Sequence, residues 1–355
     1  MLTLLFHSAL LLLSFYLLYL FTEYYFIPSL DSIGQRFGMT SDIAGSTLMA
    51  VGSSAPELAV MVISVIRGEG HEAIGVGTIV GSALFNLFVI TGVVMIVRRR
   101  AHLSWQPMVR DLFFYGLTIG LLFWAFHDGS VSQEETYVFI AAYGVYLLSL
   151  YLWKRVFHYE DKENLPGRGE GEGEGTPAAG RTERLLRRII PLKHIYLVFL
   201  LSVVFISVLA WELVNSAIIV SGILGVSEFV IAIVVIAIGT SMPDLVSSVI
   251  VARQGRAGMA INNAVGSNIF DILIGLGFPL FLYYLFSSGT VRVIQSDLRL
   301  SFSFLIGSIL LLLFFFIVNK WVTRRGAGIF LIFLYVLYLY LEISDLLQKI
   351  IHSFA

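Results

Sequence analysis

Gly239-Thr240-Ser241-Met242-Pro243-Asp244 and, shortly after it, Gly266-Ser267-Asn268-Ile269-Phe270-Asp271 lie inside apolar segments long enough to cross a membrane. A charged side chain at that depth costs about 2.5–3.5 kcal/mol on insertion scales, so a carboxylate kept there marks a functional position. The same wording stands earlier as Gly52-Ser53-Ser54-Ala55-Pro56-Glu57 and Gly81-Ser82-Ala83-Leu84-Phe85-Asn86. Pro56 pairs with Pro243 at an offset of 187, and Asn86 with Asp271 at 185. One motif pair written twice in an apolar chain indicates an internal repeat with a binding site between the copies.

Composition agrees. Hydrophobic residues make up 57% of the 355 and charged residues 13%, against about 25% charged in soluble domains. Mean hydropathy is +0.87. The chain therefore reads as an all-α polytopic membrane protein. With no cysteine, disulfides, thiolate metal sites and cysteine nucleophiles are excluded. The first apolar run, Leu4 to Leu20, has no basic residue before it and reads as a retained span, since a cleaved signal opens with a positive segment.

Apolar runs and their breaks predict ten spans, near 4–22, 41–66, 73–97, 111–127, 136–153, 195–220, 228–252, 258–285, 299–319 and 327–347. Residues 1–153 form a first five-helix repeat and 194–355 a second. The polar stretch between them, 154–193, opens its low-complexity part with Gly167-Arg168 and alternates Gly and Glu from Gly169 to Gly175, which buries no core and reads as flexible linker. With the N-terminus outside, only Arg67, Arg292, Arg299 and Lys349 of the 23 Lys and Arg fall in outer segments, and nineteen fall inside. The positive-inside rule then puts both termini outside the cell membrane and the linker in the cytoplasm. Five spans per repeat is odd, so the second copy enters from the opposite side. The expected architecture is two inverted-topology repeats with broken helices at a shared site.

Proline lacks the N–H that bonds back to residue i−4. Pro56 and Pro243 thus release carbonyls near Gly52 and Gly239. Non-helical backbone at this depth belongs where it lines a cavity. Carbonyls, hydroxyls and a carboxylate one residue past each proline form a cluster of hard oxygen donors. Ca2+ takes about six to eight such ligands, Na+ also suits them, and the lack of nitrogen and sulfur donors argues against zinc or copper. Glu57, Asp244 and Asp271 carry three negative charges if ionised, with neutral Asn86 at the fourth equivalent place. One Ca2+ leaves one charge for a monovalent cation, and three Na+ cancel the set. A buried site neutralised by either cargo favours exchange over leak.

Other polar residues read differently. Ser64, Ser216, Ser247 and Ser248 suit close helix packing. Glu23, Glu212 and Glu228 lie near span ends and read as interfacial, and His71 and Glu72 as a solvated outer turn. Abundant Phe, Tyr and Trp read as lipid-facing and interfacial surface.

At these motifs the sequence resembles the Ca2+/cation antiporter superfamily, within it the K+-dependent Na+/Ca2+ exchangers. The likeness rests on the stretch from Thr22-Glu23-Tyr24-Tyr25-Phe26-Ile27-Pro28 to Glu57, on Gly75 to Ser82, on Gly239 to Arg253 and on Val265 to Asp271. It implies ten helices with ions held between the second, third, seventh and eighth. It implies that Glu57 and Asp244 are the main Ca2+ ligands. Ser53, Ser54, Ser82, Thr240, Ser241 and Ser267, with the carbonyls of Ala50 and Ala237, would complete Ca2+ and Na+ sites. Asn86 and Asp271, beside Asn268, would close the ring. In that branch an acid at the Asp271 position goes with K+ use, and some K+-independent relatives carry one too. The short linker departs from the long regulatory loop of animal exchangers.

The expected function is secondary antiport, exporting cytoplasmic Ca2+ together with K+ against inward Na+ by alternating access. The transported ions and the lipid bilayer are the expected partners; no cofactor, nucleic acid or obligate protein partner is implied. The alternatives are H+/Ca2+ exchange and K+-independent Na+/Ca2+ exchange. An intramembrane aspartyl protease would need Tyr-Asp and Gly-x-Gly-Asp, whereas Pro243 precedes one acid here and Phe270 the other; no enzyme activity is expected. A passive channel would conduct without counter-ion dependence.

Overall fold

The computed structural model describes residues 2–36, 49–68, 70–156, 195–287, 291–292 and 295–354, and they are almost wholly helical. Helix α1 (Leu2–Phe21) passes through a π turn at Thr22–Phe26 into α2 (Ile27–Arg36). Then come α3 (Met49–Ser53), α4 (Ala55–Arg67), α5 (Glu72–Phe85), a π turn at Asn86–Ile90, α6 (Thr91–Val97), α7 (Trp105–Phe126) and α8 (Gln133–Val156). The second half runs α9 (Ile195–Leu224), α10 (Glu228–Ile231), a π turn at Ala232–Ile236, α11 (Ala237–Thr240), α12 (Met242–Arg253) and α13 (Ala257–Phe270). A π turn at Asp271–Leu276, α14 (Gly277–Phe286), α15 (Gln295–Val318) and α16 (Arg325–Phe354) complete it. Among the described residues eight helices are long and apolar enough to cross a membrane, or nine if Glu228–Thr240 and Met242–Arg253, bent by 41°, count as one span. Residues 41–48, the start of the expected second span, and most of the linker lie outside the described residues.

The expected breaks fall at the two prolines. Ser54 (φ −88°, ψ 6°) and Ser241 (φ −83°, ψ 4°) leave helical geometry, and α4 and α12 restart with Pro56 and Pro243 in their first turns. There the missing N–H costs nothing. Flanking bonds match across the copies: Ser54 N–H to the Ala50 carbonyl at 3.0 Å, and Ser241 N–H to that of Ala237 at 3.1 Å. The π turns that begin at Asn86 and Asp271 also match; such turns are frequent at functional sites. The first span outruns its predicted end. A π turn, in which Ile27 N–H reaches back to the Thr22 carbonyl, carries the helix past Pro28.

Small residues set the approach of the motif helices. A Cβ on Gly81 would stand 2.7 Å from Ala237 Cβ and 3.0 Å from Ile233 Cα, and one on Gly77 would stand 2.8 Å from Ala232 Cβ. Helix α5 therefore lies flush against the α10–α11 segment. Two apolar clusters surround this contact. One unites α1 and α9 with single faces of α4, α5 and α10–α11, through Leu11, Leu18, Leu213, Val214, Val60 and Ile236. The other fills the space between α5, α7, α13, α15 and α16, with Leu84, Tyr115, Ile269, Leu305 and Tyr338.

Two backbone clasps close the opposite ends. At one, Arg100 N–H donates to the Thr323 carbonyl (2.9 Å), Thr323 N–H to Ala101 (3.0 Å) and Leu103 N–H to Trp321 (2.8 Å). Thr323 Oγ1 donates to the Arg98 carbonyl at 2.6 Å and accepts from Ala101 N–H at 2.9 Å. At the other, β1 (Ser130–Val131) pairs antiparallel with β2 (Val291–Arg292), and the Tyr284 hydroxyl bridges the Val131 carbonyl and Val291 N–H. Each clasp joins a loop of the first half to a loop of the second.

Candidate functional site

The copied motifs meet. Glu57 on α4, Ser82 and Asn86 on α5 and its π turn, Thr240 and Ser241 on α11 and at the break, Asp244 on α12, and Ser267, Asn268 and Asp271 on α13 and its π turn are all fully buried. Ser53 and Ser54 join them with at most 1% of their surface exposed. Glu57 lies within electrostatic reach of both Asp244 and Asp271.

The contacts repeat with the sequence. Ser82 Oγ donates to Glu57 Oε1 at 3.5 Å, and its counterpart Ser267 Oγ donates to Asp244 Oδ1 at 3.5 Å. Thr240 from the second copy lies beside Glu57, and Ser53 from the first lies beside Asp244. Each acid thus has hydroxyls of both copies around it. Further bonds tie the halves together: Ser241 Oγ donates to Glu57 Oε1 (3.1 Å) and Ser82 Oγ (2.9 Å), and Ser82 also reaches Asp271 Oδ2 (3.5 Å).

Asn86 Nδ2 donates to Asn268 Oδ1 (2.9 Å) and Asp244 Oδ2 (3.4 Å), while Asn268 Nδ2 donates to the Ala83 carbonyl (3.0 Å). Asn86 is neutral where the second copy has an acid, and it uses its amide to hold Asp244. Glu57 Oε2, Asp271 Oδ1 and Asn86 Oδ1 have no hydrogen-bond partner among the described residues. A buried acceptor left unpaired costs about 1–3 kcal/mol, and a bound cation is one way to satisfy such oxygens. Among the described residues no three His, Cys, Asp or Glu side chains converge tightly enough to hold a metal alone; the other oxygens beside the acids belong to hydroxyls and amides. The Ala50 and Ala237 carbonyls occupy mirrored places, but each already accepts its helical N–H and a neighbouring hydroxyl, from Ser53 at 3.4 Å and from Thr240 at 3.4 Å.

Some residues stand elsewhere than their sequence suggested. Glu72 is 8% exposed rather than solvated, and His71 Nδ1 lies 2.9 Å from a Glu228 carboxylate oxygen. Ser64 and Ser247 turn back on carbonyls of their own helices, as packing serines do. Ser216 bridges Glu212 and His7. Two tyrosines escape the sequence reading. Tyr115 on α7 is fully buried with its hydroxyl beside Asn268 and near Asp271. Tyr143 on α8 also neighbours Asp271, its ring edge-on to Phe270 at 5.6 Å. The one available signal was a polar ring tip in mid-span, which the abundance of aromatics hid.

A family model described as sodium/calcium exchanger protein matches residues 7–152 and 194–344. The chain belongs to the sodium/calcium exchanger protein family. Among similar members, the human sodium/potassium/calcium exchanger 5 is 28% identical, over 86% of this chain and 76% of that protein. The mouse sodium/potassium/calcium exchanger 4 is 24% identical, over 92% and 79%. Among solved structures, the sodium-calcium exchanger NCX_Mj superposes with a TM-score of 0.57 at 20% identity, covering 94% of this chain and 98% of that one. The H+/Ca2+ exchanger CAX gives 0.63 at 15%, covering 97% and 90%. At such identities the shared feature of this exchanger and those structures is the fold.

Proposed function

We propose that this exchanger is a ten-helix antiporter of the cell membrane, built as two inverted five-helix repeats, that carries Ca2+ with K+ out of the cytoplasm in exchange for Na+. The repeats are 1–153 and 194–355, joined by a cytoplasmic linker, with both termini outside. The observation that carries the reading is the exchanged hydroxyl pattern: Ser82 and Ser241 on Glu57, Ser267 on Asp244 with Ser53 beside it. Two kinked helices of opposite sense thereby present matching acids to one buried cluster of oxygens. The names of the Na+/K+/Ca2+ exchangers it resembles support the choice of ions.

Glu57 and Asp244 hold Ca2+ with Ser53, Ser54, Ser82, Thr240, Ser241 and Ser267. Asp271 and Asn86 supply the place for K+ or an additional Na+. Ca2+ with K+ neutralises the three acids, as do three Na+, whereas the bare site concentrates like charge in a low dielectric. Access alternates as the α1–α9 pair, which has its own apolar cluster, moves against the rest.

In vesicles loaded with Na+, 45Ca2+ uptake is expected only while the outward Na+ gradient lasts. Uptake driven equally by a pH gradient without Na+ would replace this reading with H+/Ca2+ exchange. Asp271→Asn removes the charge that K+ would balance. It should abolish K+ stimulation and retain part of the Ca2+ flux; an unchanged K+ response would remove K+ from the cargo.

A further inference from the structure

The first clasp carries more than a link between halves. It frames a cavity of about 420 Å³ lined by Arg99, Arg100, Thr323, Arg324 and Arg325. Arg98 reaches toward the α12–α13 turn, its guanidinium 3.7 Å from where a Cβ on Gly255 would stand. Among the described residues no carboxylate pairs with the arginines of this end; the nearest acid along the chain, Asp111, is held by Arg110 at 2.8 Å. Like charges gathered without a partner favour an anion between them. The planar guanidinium fork matches phosphate oxygens two at a time.

The backbone here is built to hold those side chains. Arg100 (φ 63°), Lys320 (φ 52°) and Trp321 (φ 60°) are the non-glycine residues with positive φ among those described, and all three belong to this clasp. Residues held in that region cluster where surrounding structure fixes a site. Below the arginines the surface turns apolar: Val97, Ile317, Val318, Ile329 and Phe330 are exposed at the ends of α6, α15 and α16. A phosphate above and an apolar wall beneath match one kind of molecule.

We propose that this cavity seats the phosphate headgroup of an anionic phospholipid, its acyl chains lying against α6, α15 and α16. Inorganic phosphate shares the headgroup chemistry but leaves the apolar wall unused. In native mass spectrometry of the full chain with phosphatidylglycerol or phosphatidylcholine, the unaltered protein should retain phosphatidylglycerol preferentially. Retention should survive excess inorganic phosphate and weaken by about tenfold in R99Q/R100Q/R324Q/R325Q, each basic residue near an anionic surface adding to the attraction. R253Q/R256Q, altered at the neighbouring turn, should keep it. Equal loss in both variants would reduce the effect to general surface charge and overturn the site, as would displacement by inorganic phosphate. Retention by E170Q/E172Q/E174Q but not by the unaltered protein would give the cavity to the chain's own linker instead. Should the fourfold variant fail to fold, brominated phosphatidylglycerol must still quench the tryptophan fluorescence of the unaltered protein more than brominated phosphatidylcholine does; equal quenching rejects the proposal.

Discussion

Glu57→Gln is expected to leave an exchanger that folds, inserts and no longer takes up Ca2+ at low concentration. Glu57 Oε1 already accepts from Ser241 and Ser82, and Oε2 stands unpaired in a fully buried setting. Glutamine keeps the volume and one acceptor but removes the charge that offsets a dehydrated divalent ion. Removing one partner of a buried charged pair costs about 3–5 kcal/mol, which at 1.4 kcal/mol per tenfold lowers Ca2+ affinity by roughly 10²–10⁴. Uptake in vesicles at low Ca2+ should fall to the leak rate, and high external Ca2+ should restore part of it. Asp244→Asn should behave alike, because its hydroxyl donors mirror those of Glu57. Wild-type uptake in either variant would mean that the two acids do not share the ion.

The second large effect needs no charge. Gly81→Leu should cut transport by about tenfold or more, because the new side chain would start inside Ala237 and against the Ile233 backbone. Overpacking of this kind costs about 1–3 kcal/mol where side chains must yield, and backbone yields least. Relief comes only by moving α5 away from α11, which stretches the 2.9 Å contact between Ser241 and Ser82. Gly144→Leu is the control, since no atom lies within 4 Å of a Cβ there. Equal uptake by both variants would show that the close approach of α5 and α11 does not set the site.

What the sequence disclosed was what apolar surroundings make conspicuous. A proline followed by an acid in a hydrophobic run has few bland explanations, so Pro56-Glu57 and Pro243-Asp244 announced both the breaks and the acids that meet there. Asn86 and Asp271 became visible only through the repeat. Long-range partners were not legible. Nothing in Ser241 says that it will bond Glu57 rather than Asp244, because that depends on how the halves cross. The clasps were hidden for the same reason, as Ala101 and Thr323 are ordinary loop residues until they face each other. Tyr115 was lost among many aromatics, and Glu72 among loop acids, since burial at a helix start depends on the neighbours that cover it. The first span was read as ending near residue 22, yet one widened turn carries the helix on past Pro28.

The clasps have a bearing on how such a chain holds together. Residues 98–103 grip 321–323 at one face, and 130–131 grip 291–292 at the other. The two halves are thus manacled top and bottom by main-chain bonds, independently of the peptide segment that runs between them. Covalent continuity then serves chiefly to deliver both pieces in equal number, and the same assembly is within reach of a gene cut in two.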